Sequence, residues 1–309
     1  MAARERTLLA PGPAEAEQAL ARYRAFLGGN GVPAVGIEDV LDQAMLARSE
    51  PPSAPGAFPL LLFATGMGGA VQDQAAFAES LASHGYVVAT TPSPVRLGAK
   101  MESEQDVPAM AEEQARDLEI TLSVLSPRSW VDATRLGVVG YSFGARPALL
   151  LAGRHPAVRA LVSLDGGIGS AAAKGWLAAR ALDRAALRTP ILHVYEEDDE
   201  ARPDFELLAS LDRAPRMLAR VEGLRHLDFV TFGLASATLP ALGGPHPERA
   251  EALRAVFALT LAFVDARVSG RTGGWEALTH GERVPRFLRL TPFGSGAAPA
   301  PPPRRRSGS

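Results

Sequence analysis

Between residues 59 and 268 the sequence alternates short β-rich runs with amphipathic helical segments. We predict strands at 59–65, 86–91, 136–140, 158–164, 191–195 and 217–221, and helices near 73–83, 108–125, 143–154 and 247–268. In the 108–125 segment the apolar residues recur every three or four positions, as on one helical face. Strands that alternate with helices pair in parallel, so the fold class is predicted to be α/β, a mostly parallel sheet flanked by helices.

Two segments flank this region. Residues 1–56 are predicted to be an N-terminal extension with helices at 14–28 and 37–48, which a Pro-rich linker at 49–58 connects to the sheet. Residues 57–290 form the predicted α/β domain. Residues 291–309 are of low complexity and are predicted to be a disordered tail.

Composition excludes several kinds of chemistry. The chain has no Cys, which rules out disulfides, thiolate metal sites and a Cys nucleophile. Its net charge of −2 gives no general attraction to nucleic acid or anionic membranes.

No motif indicates a cofactor or a metal, and no segment has the length of a membrane span. Because the first residues lack the apolar region of a signal peptide, we expect a soluble, cytoplasmic protein; the sequence does not indicate its oligomeric state.

The pentapeptide GYSFG at 140–144 is the only G-x-S-x-G in the chain. It follows the predicted strand 136–140 and opens the predicted helix 143–154, as a nucleophile elbow requires. In that turn the Ser142 hydroxyl stands above the carboxyl edge of the sheet, where the helix dipole favours developing negative charge. The alternative role is a helix N-cap serine. The strand–turn–helix placement favours the nucleophile.

A glycine-rich loop, TGMGG at 65–69, directly follows the first predicted strand. Such a loop can reach the elbow and direct backbone N–H groups at a developing oxyanion. We predict that the N–H groups of Met67 and Phe143, the residue after the nucleophile, form an oxyanion hole. An ordinary strand-end turn is the alternative interpretation of this loop.

A general base is required, and His226 is the histidine placed to supply it. It follows the predicted strand 217–221 through a short loop, in the chain order Ser, Asp, His. The other five histidines end helices, lie within a strand or fall in Pro/Gly-rich segments: His84, His155, His193, His246 and His280. A surface-loop histidine is the alternative role.

Two acidic residues could orient that base. Asp165 ends the predicted strand 158–164, and Asp199 lies in the acidic run EEDDE at 196–200 after the next strand. That run could equally be a solvated loop, and its spacing does not support a cation site. Residue placement alone leaves both aspartates open.

Several segments together resemble the α/β-hydrolase superfamily, over about residues 57–268. The resemblance is closest to its platelet-activating-factor acetylhydrolase-like and dienelactone-hydrolase-like bacterial branch. It rests on TGMGG, ESLASHGYVVATTPS at 79–93, the elbow in VDATRLGVVGYSFGARPAL, LVSLDGG at 161–167, and GLRHLDFVTFG at 223–233. The resemblance implies a triad of Ser142, Asp165 and His226, because in that branch the acid follows the strand after the nucleophile helix. It likewise implies Met67 and Phe143 as oxyanion donors.

The sequence departs from the family pattern in four places. Thr65 replaces the usual His of an H-G-x-G loop, Ala145-Arg146 replaces a second Gly after the elbow, and the first N-terminal strands are expected to be missing. Dienelactone hydrolases proper use a Cys nucleophile, which this chain lacks.

The predicted function is that of a serine ester hydrolase acting on small-molecule esters with an apolar group. Its pocket rim is expected at 92–106, 166–188 and 232–246. The alternatives are an acyltransferase or thioesterase with the same residues, or a non-catalytic hydrolase-like binding protein.

Overall fold

The computed structural model of the chain describes residues 13–29, 31–42, 47, 54–97, 103–173, 182–196 and 203–293. Its strands form one sheet: β1 (Phe58–Ala64), β2 (Val87–Thr91), β3 (Val131–Tyr141), β4 (Val158–Leu164), β5 (Ile191–Tyr195), β6 (Arg216–Val221) and β7 (Leu288–Phe293). Across the sheet the order is β2-β1-β3-β4-β5-β6-β7. All neighbouring strands are parallel except β7, which is antiparallel to β6. The predicted mostly parallel sheet is confirmed.

Helices cover both faces of this sheet. They are α1 (Pro13–Gly29), α2 (Ala34–Leu41), α3 (Ala75–Ser83), α4 (Val107–Leu125), α5 (Ala145–Arg154), α6 (Glu206–Ser210), α7 (Thr231–Thr238), α8 (Pro247–Val264) and α9 (Gly273–Thr279). A π-helical turn, Asp265–Ser269, extends α8 to the predicted end of that helix. None of the described helices combines the length and hydropathy needed to cross a lipid bilayer.

The core lies in two layers, one on each face of the sheet. Six of the seven residues of β1 are buried, because a central parallel strand is covered on both sides. Successive side chains of a strand point to opposite faces. Leu60 and Leu62 accordingly pack in a cluster with residues of α4 and α5, whereas Leu61 and Phe63 pack with residues of α3 and α8.

Strand β7 was not predicted, and it corrects the boundary of the expected tail. Residues 291–293 belong to β7, whereas 294–309 lie outside the described residues. The segment LRLTPF gives a weak strand signal because it contains Pro292. An edge strand tolerates proline, since one of its sides needs no ladder partner. Helices α6, α7 and α9 were also not predicted; they are short, and α7 and α9 contain glycine.

Among the described residues that precede β1 there are helices and no strand. The second helix ends at Leu41, earlier than the predicted 48, although 43–46 and 48 are not described. Side chains of both helices, including Tyr23, Leu27 and Leu41, form a small buried cluster with Ala235 of α7. The N-terminal helices therefore pack on the part of the chain that follows His226.

Candidate active site

Loops with the predicted functional residues meet at one edge of the sheet. Ser142 follows β3, Asp165 follows β4, His226 lies beyond β6, and the Thr65–Gly69 loop follows β1. The strands concerned are parallel, so their carboxyl ends share one edge. Residues distant in sequence are thereby brought within contact distance.

Ser142 occupies a sharp turn between β3 and α5, where residues 142–144 form a 3₁₀ turn before the helix begins at Ala145. Its φ of 51° lies in the left-handed region, which costs a non-glycine residue about 1–3 kcal/mol. The flanking glycines allow this turn. A Cβ at Gly140 would lie 2.5 Å from the Cα of Ala145, and one at Gly144 would overlap the carbonyl oxygen of Ala64.

A chain of hydrogen bonds joins Ser142, His226 and Asp165. The Nε2 atom of His226 lies 2.9 Å from the Ser142 hydroxyl oxygen. The other ring nitrogen, Nδ1, is hydrogen-bonded to Oδ2 of Asp165. The Asp165 side chain is only 4% exposed, whereas that of His226 is 26% exposed. The order of the three groups is that of a nucleophile, a base and an orienting acid.

The turn after β4 holds Asp165 in place. This residue also has a positive φ, 42°, and its N–H donates to the carbonyl of Val194 on β5 over 2.7 Å. The Glu196 N–H approaches Oδ1 of Asp165 at 3.5 Å. The same turn is tied to the elbow, because the Gly167 N–H donates to the Ser142 carbonyl over 2.8 Å. Asp199, the other candidate acid, lies outside the described residues.

His226 begins a 3₁₀ turn, His226–Phe229, that is anchored at both ends. The carboxylate of Asp228 accepts the Arg225 N–H over 2.8 Å and lies 3.5 Å from Nε of Arg249. Burial raises the pKa of this carboxyl above its ordinary value, against the opposing effects of the Arg225 N–H and of Arg249. Phe229 is fully buried in the core. The turn is thus fixed by one cap and one apolar anchor.

The Thr65–Gly69 loop packs directly against the elbow. Its residues 66–69 form a turn in which the Gly69 N–H donates to the Gly66 carbonyl over 2.9 Å, with Gly68 at φ 68°. A Cβ at Gly66 would lie 3.2 Å from the Cβ of Ser142. A side chain at position 66 would therefore press against the serine, and glycine allows the loop to approach this closely.

Two of the four departures from the family pattern, at Thr65 and at Arg146, have defined surroundings. Thr65 is fully buried, and its hydroxyl donates to the carbonyls of Gly69 and Thr91 at 3.3 and 3.2 Å. Arg146 is buried as well, with its guanidinium carbon 5.8 Å from the centre of the Phe143 ring. A Cβ at Gly167 would lie 2.7 Å from that carbon. Each residue therefore supports a loop of the site.

His193 is kept apart from this cluster. It lies within β5, is 2% exposed, and its Nδ1 is 2.9 Å from the hydroxyl oxygen of Ser163 on β4. Burial lowers the pKa of His193 to about 3. A neutral, enclosed imidazole of this kind is suited to a structural role.

Sequence reasoning missed two residues beside the site. Tyr141 stacks on His226 and donates a hydrogen bond to its carbonyl. Asp228 caps the turn that His226 begins. Asp228 had a readable signal, since an acidic residue three positions after the start of a short turn is typical of a cap. The contact of Tyr141 spans 85 residues of sequence and has no local signal.

A mostly parallel sheet with a strand–serine–helix turn and a histidine loop at its carboxyl edge is the α/β-hydrolase fold. A family model described as the dienelactone hydrolase family matches residues 43–211. This range is more than half of the chain, so the protein belongs to that family and is a hydrolase of the α/β-hydrolase kind. The matched range includes Ser142 and Asp165 and ends before His226. No curated protein sequence matches the chain significantly.

Proposed function

We propose that the protein is a serine hydrolase that cleaves small carboxylic esters through Ser142, His226 and Asp165. The observation that carries the proposal is the continuous hydrogen-bond chain from the Ser142 hydroxyl through both ring nitrogens of His226 to Asp165. A serine hydroxyl is a weak nucleophile until an adjacent base takes its proton. The 2.9 Å contact gives His226 that position.

In the proposed reaction the Ser142 oxygen attacks the ester carbonyl while its proton passes to Nε2 of His226. The Asp165 carboxylate accepts a hydrogen bond from Nδ1–H of His226 and stabilises the imidazolium that forms. Collapse of the tetrahedral intermediate expels the alcohol, which takes the proton from His226 and leaves an acyl-enzyme on Ser142. Water, deprotonated by His226, then attacks the acyl carbonyl, and the acid leaves as the proton returns to Ser142.

The proposed oxyanion hole uses the backbone N–H groups of Met67 and Phe143. Met67 is the second residue of the turn at 66–69, whose closing hydrogen bond uses the Gly69 N–H instead. Its own N–H is therefore not needed by the turn. Phe143 follows the nucleophile at the start of the elbow helix, where N–H groups point toward negative charge. One such donor contributes about 10²–10³-fold to kcat in serine hydrolases.

A serine nucleophile is proposed because the chain contains no Cys at all. We further propose that the substrate is an ester of the kind that the platelet-activating-factor acetylhydrolase-like branch hydrolyses, and that its acyl or alcohol group is apolar. The support is the elbow together with the H-x-x-F segment at 226–229, in which Phe229 anchors the histidine turn.

The first test is Ser142→Ala, assayed with short-chain p-nitrophenyl esters. The variant should lose kcat on the order of 10⁶-fold, since the nucleophile is removed. A fluorophosphonate probe should label the wild type and not the variant. Undiminished turnover by Ser142→Ala would refute the proposal, and a wild type that neither hydrolyses esters nor labels would indicate a binding protein. Transfer of the acyl group mainly to an added alcohol, with little free acid formed, would instead indicate an acyltransferase.

The second test compares Asp165→Asn with Asp199→Asn. Asp165→Asn should lower kcat about 10⁴-fold, because an amide cannot hold the required Nδ1 tautomer of the histidine. Asp199→Asn is the matched control and should retain the wild-type kcat. Loss confined to Asp199→Asn would reverse the assignment of the acid.

A further inference from the structure

Tyr141 is the second residue of the elbow and contacts the histidine loop as well as the nucleophile. Its hydroxyl donates to the main-chain carbonyl of His226 over 2.9 Å. Its ring stacks on the imidazole, with ring centres 5.1 Å apart and planes inclined by 29°. The two contacts fix both the backbone and the ring of His226 from one side chain.

The same ring also packs against the Thr65–Gly69 loop. A Cβ at Gly66 would lie 3.0 Å from two ring carbons of Tyr141. Tyr141 is the last residue of β3, with an extended backbone, and directly precedes Ser142 in the chain. The side chain therefore lies between all three elements of the site: the elbow, the histidine turn and the loop with the proposed oxyanion donor.

The hydroxyl of Tyr141 remains a donor over the working range of pH. The residue is only 6% exposed. Burial raises the pKa of Tyr141 well above its ordinary value, and the nearby carboxylates of Asp165, Asp73 and Asp228 raise it further. A hydroxyl that keeps its proton cannot act as a base toward substrate, and within the described part of the chain it donates to a main-chain carbonyl.

From this geometry we infer that Tyr141 is a positioning residue for the reaction, and that it sets the place of His226 relative to Ser142. The inference rests on the proposed serine-hydrolase function. The hydroxyl acts through the His226 backbone and the ring acts through stacking, so Tyr141 itself need not touch the ester. Its loss should weaken proton transfer between Ser142 and His226 and leave substrate binding intact.

The test is Tyr141→Phe, which removes the hydroxyl and keeps the ring. Tyr86→Phe is the matched control, because Tyr86 is another buried tyrosine whose hydroxyl is hydrogen-bonded, to Asp265 at 2.7 Å and Ser269 at 2.9 Å. Both variants lose one buried, hydrogen-bonded hydroxyl. Only Tyr141→Phe should lower kcat for p-nitrophenyl acetate, by about fivefold, with KM unchanged. Its fluorophosphonate labelling rate should fall by the same factor.

Rates are measured well below each unfolding midpoint and expressed per folded molecule, so that lost stability does not count as lost activity. Wild-type kcat and labelling rate in Tyr141→Phe would overturn the inference, as would an equal loss in Tyr86→Phe. Ser142→Ala is assayed alongside. If activity depends on Ser142 while Tyr141→Phe is unchanged, the positioning role alone fails. If activity survives Ser142→Ala, the proposed function fails and the inference with it.

Discussion

The buried imidazole of His193 makes the stability of the protein depend on pH in a defined direction. Burial lowers the pKa of His193 from its ordinary 6.5 to about 3. Between these values the unfolded chain binds a proton that the folded chain excludes. The stabilising contribution is therefore complete above pH 6.5 and is lost as the pH falls toward 3. From pH 8 to pH 5 the free energy of unfolding should fall by about 2 kcal/mol through this residue.

Urea unfolding followed by tryptophan fluorescence at pH 8 and pH 5 measures this loss. His193→Gln cannot titrate and should lose about 2 kcal/mol less than the wild type over the same interval. His84→Gln, at an exposed helix end, is the control and should behave as the wild type. Equal losses in the wild type and His193→Gln would refute the reasoning. The wild type also gives a direct reading by NMR, in which the His193 ring should show no titration between pH 8 and pH 5.

Three further predictions concern the loops of the site. Gly144→Ala should destabilise the fold by about 3 kcal/mol or more in urea unfolding, because the new Cβ would overlap the Ala64 carbonyl, whereas Gly29→Ala, with open space, should be neutral. Thr231→Val should lower the free energy of unfolding by about 1–3 kcal/mol, because the Thr231 hydroxyl is hydrogen-bonded to the backbone at 72, 73 and 76. Thr231→Ser keeps the hydroxyl and should retain most of the stability. Equal losses in the two variants would contradict this role. Asp228→Ala should lower both the unfolding midpoint and kcat, whereas Asp228→Asn keeps an acceptor for the Arg225 N–H and should lose about 1 kcal/mol less.

The strands and most long helices could be predicted because each is encoded locally. The run PLLLFA at 59–64 is apolar throughout since β1 is covered on both faces, and the buried face of α4 repeats at helical spacing. Strand β7 escaped prediction because an antiparallel edge strand depends on its partner β6 more than on its own apolar pattern.

The residues of the candidate site likewise divide into those with a local sequence signal and those without one. Ser142 lies in a local strand–turn–helix pattern, and His226 lies after a readable strand. The choice between Asp165 and Asp199 needed a family resemblance, because both follow strands in the sequence. The contacts of Tyr141 and Thr231 were beyond sequence reasoning, since each joins segments more than 80 residues apart.

The three groups of the proposed triad are synthesised in the order Ser142, Asp165 and His226, which is also the order of the strands they follow across the sheet. Ser142 and Asp165 lie at the ends of neighbouring strands, β3 and β4, and are 23 positions apart in the sequence. His226, the proposed base, follows 61 positions after Asp165. Because a domain generally folds as a unit, a nascent chain that ends at β5 still lacks the histidine proposed to activate Ser142. In the proposed mechanism, hydrolytic competence is therefore acquired late in translation, after the histidine turn beyond β6 has been synthesised.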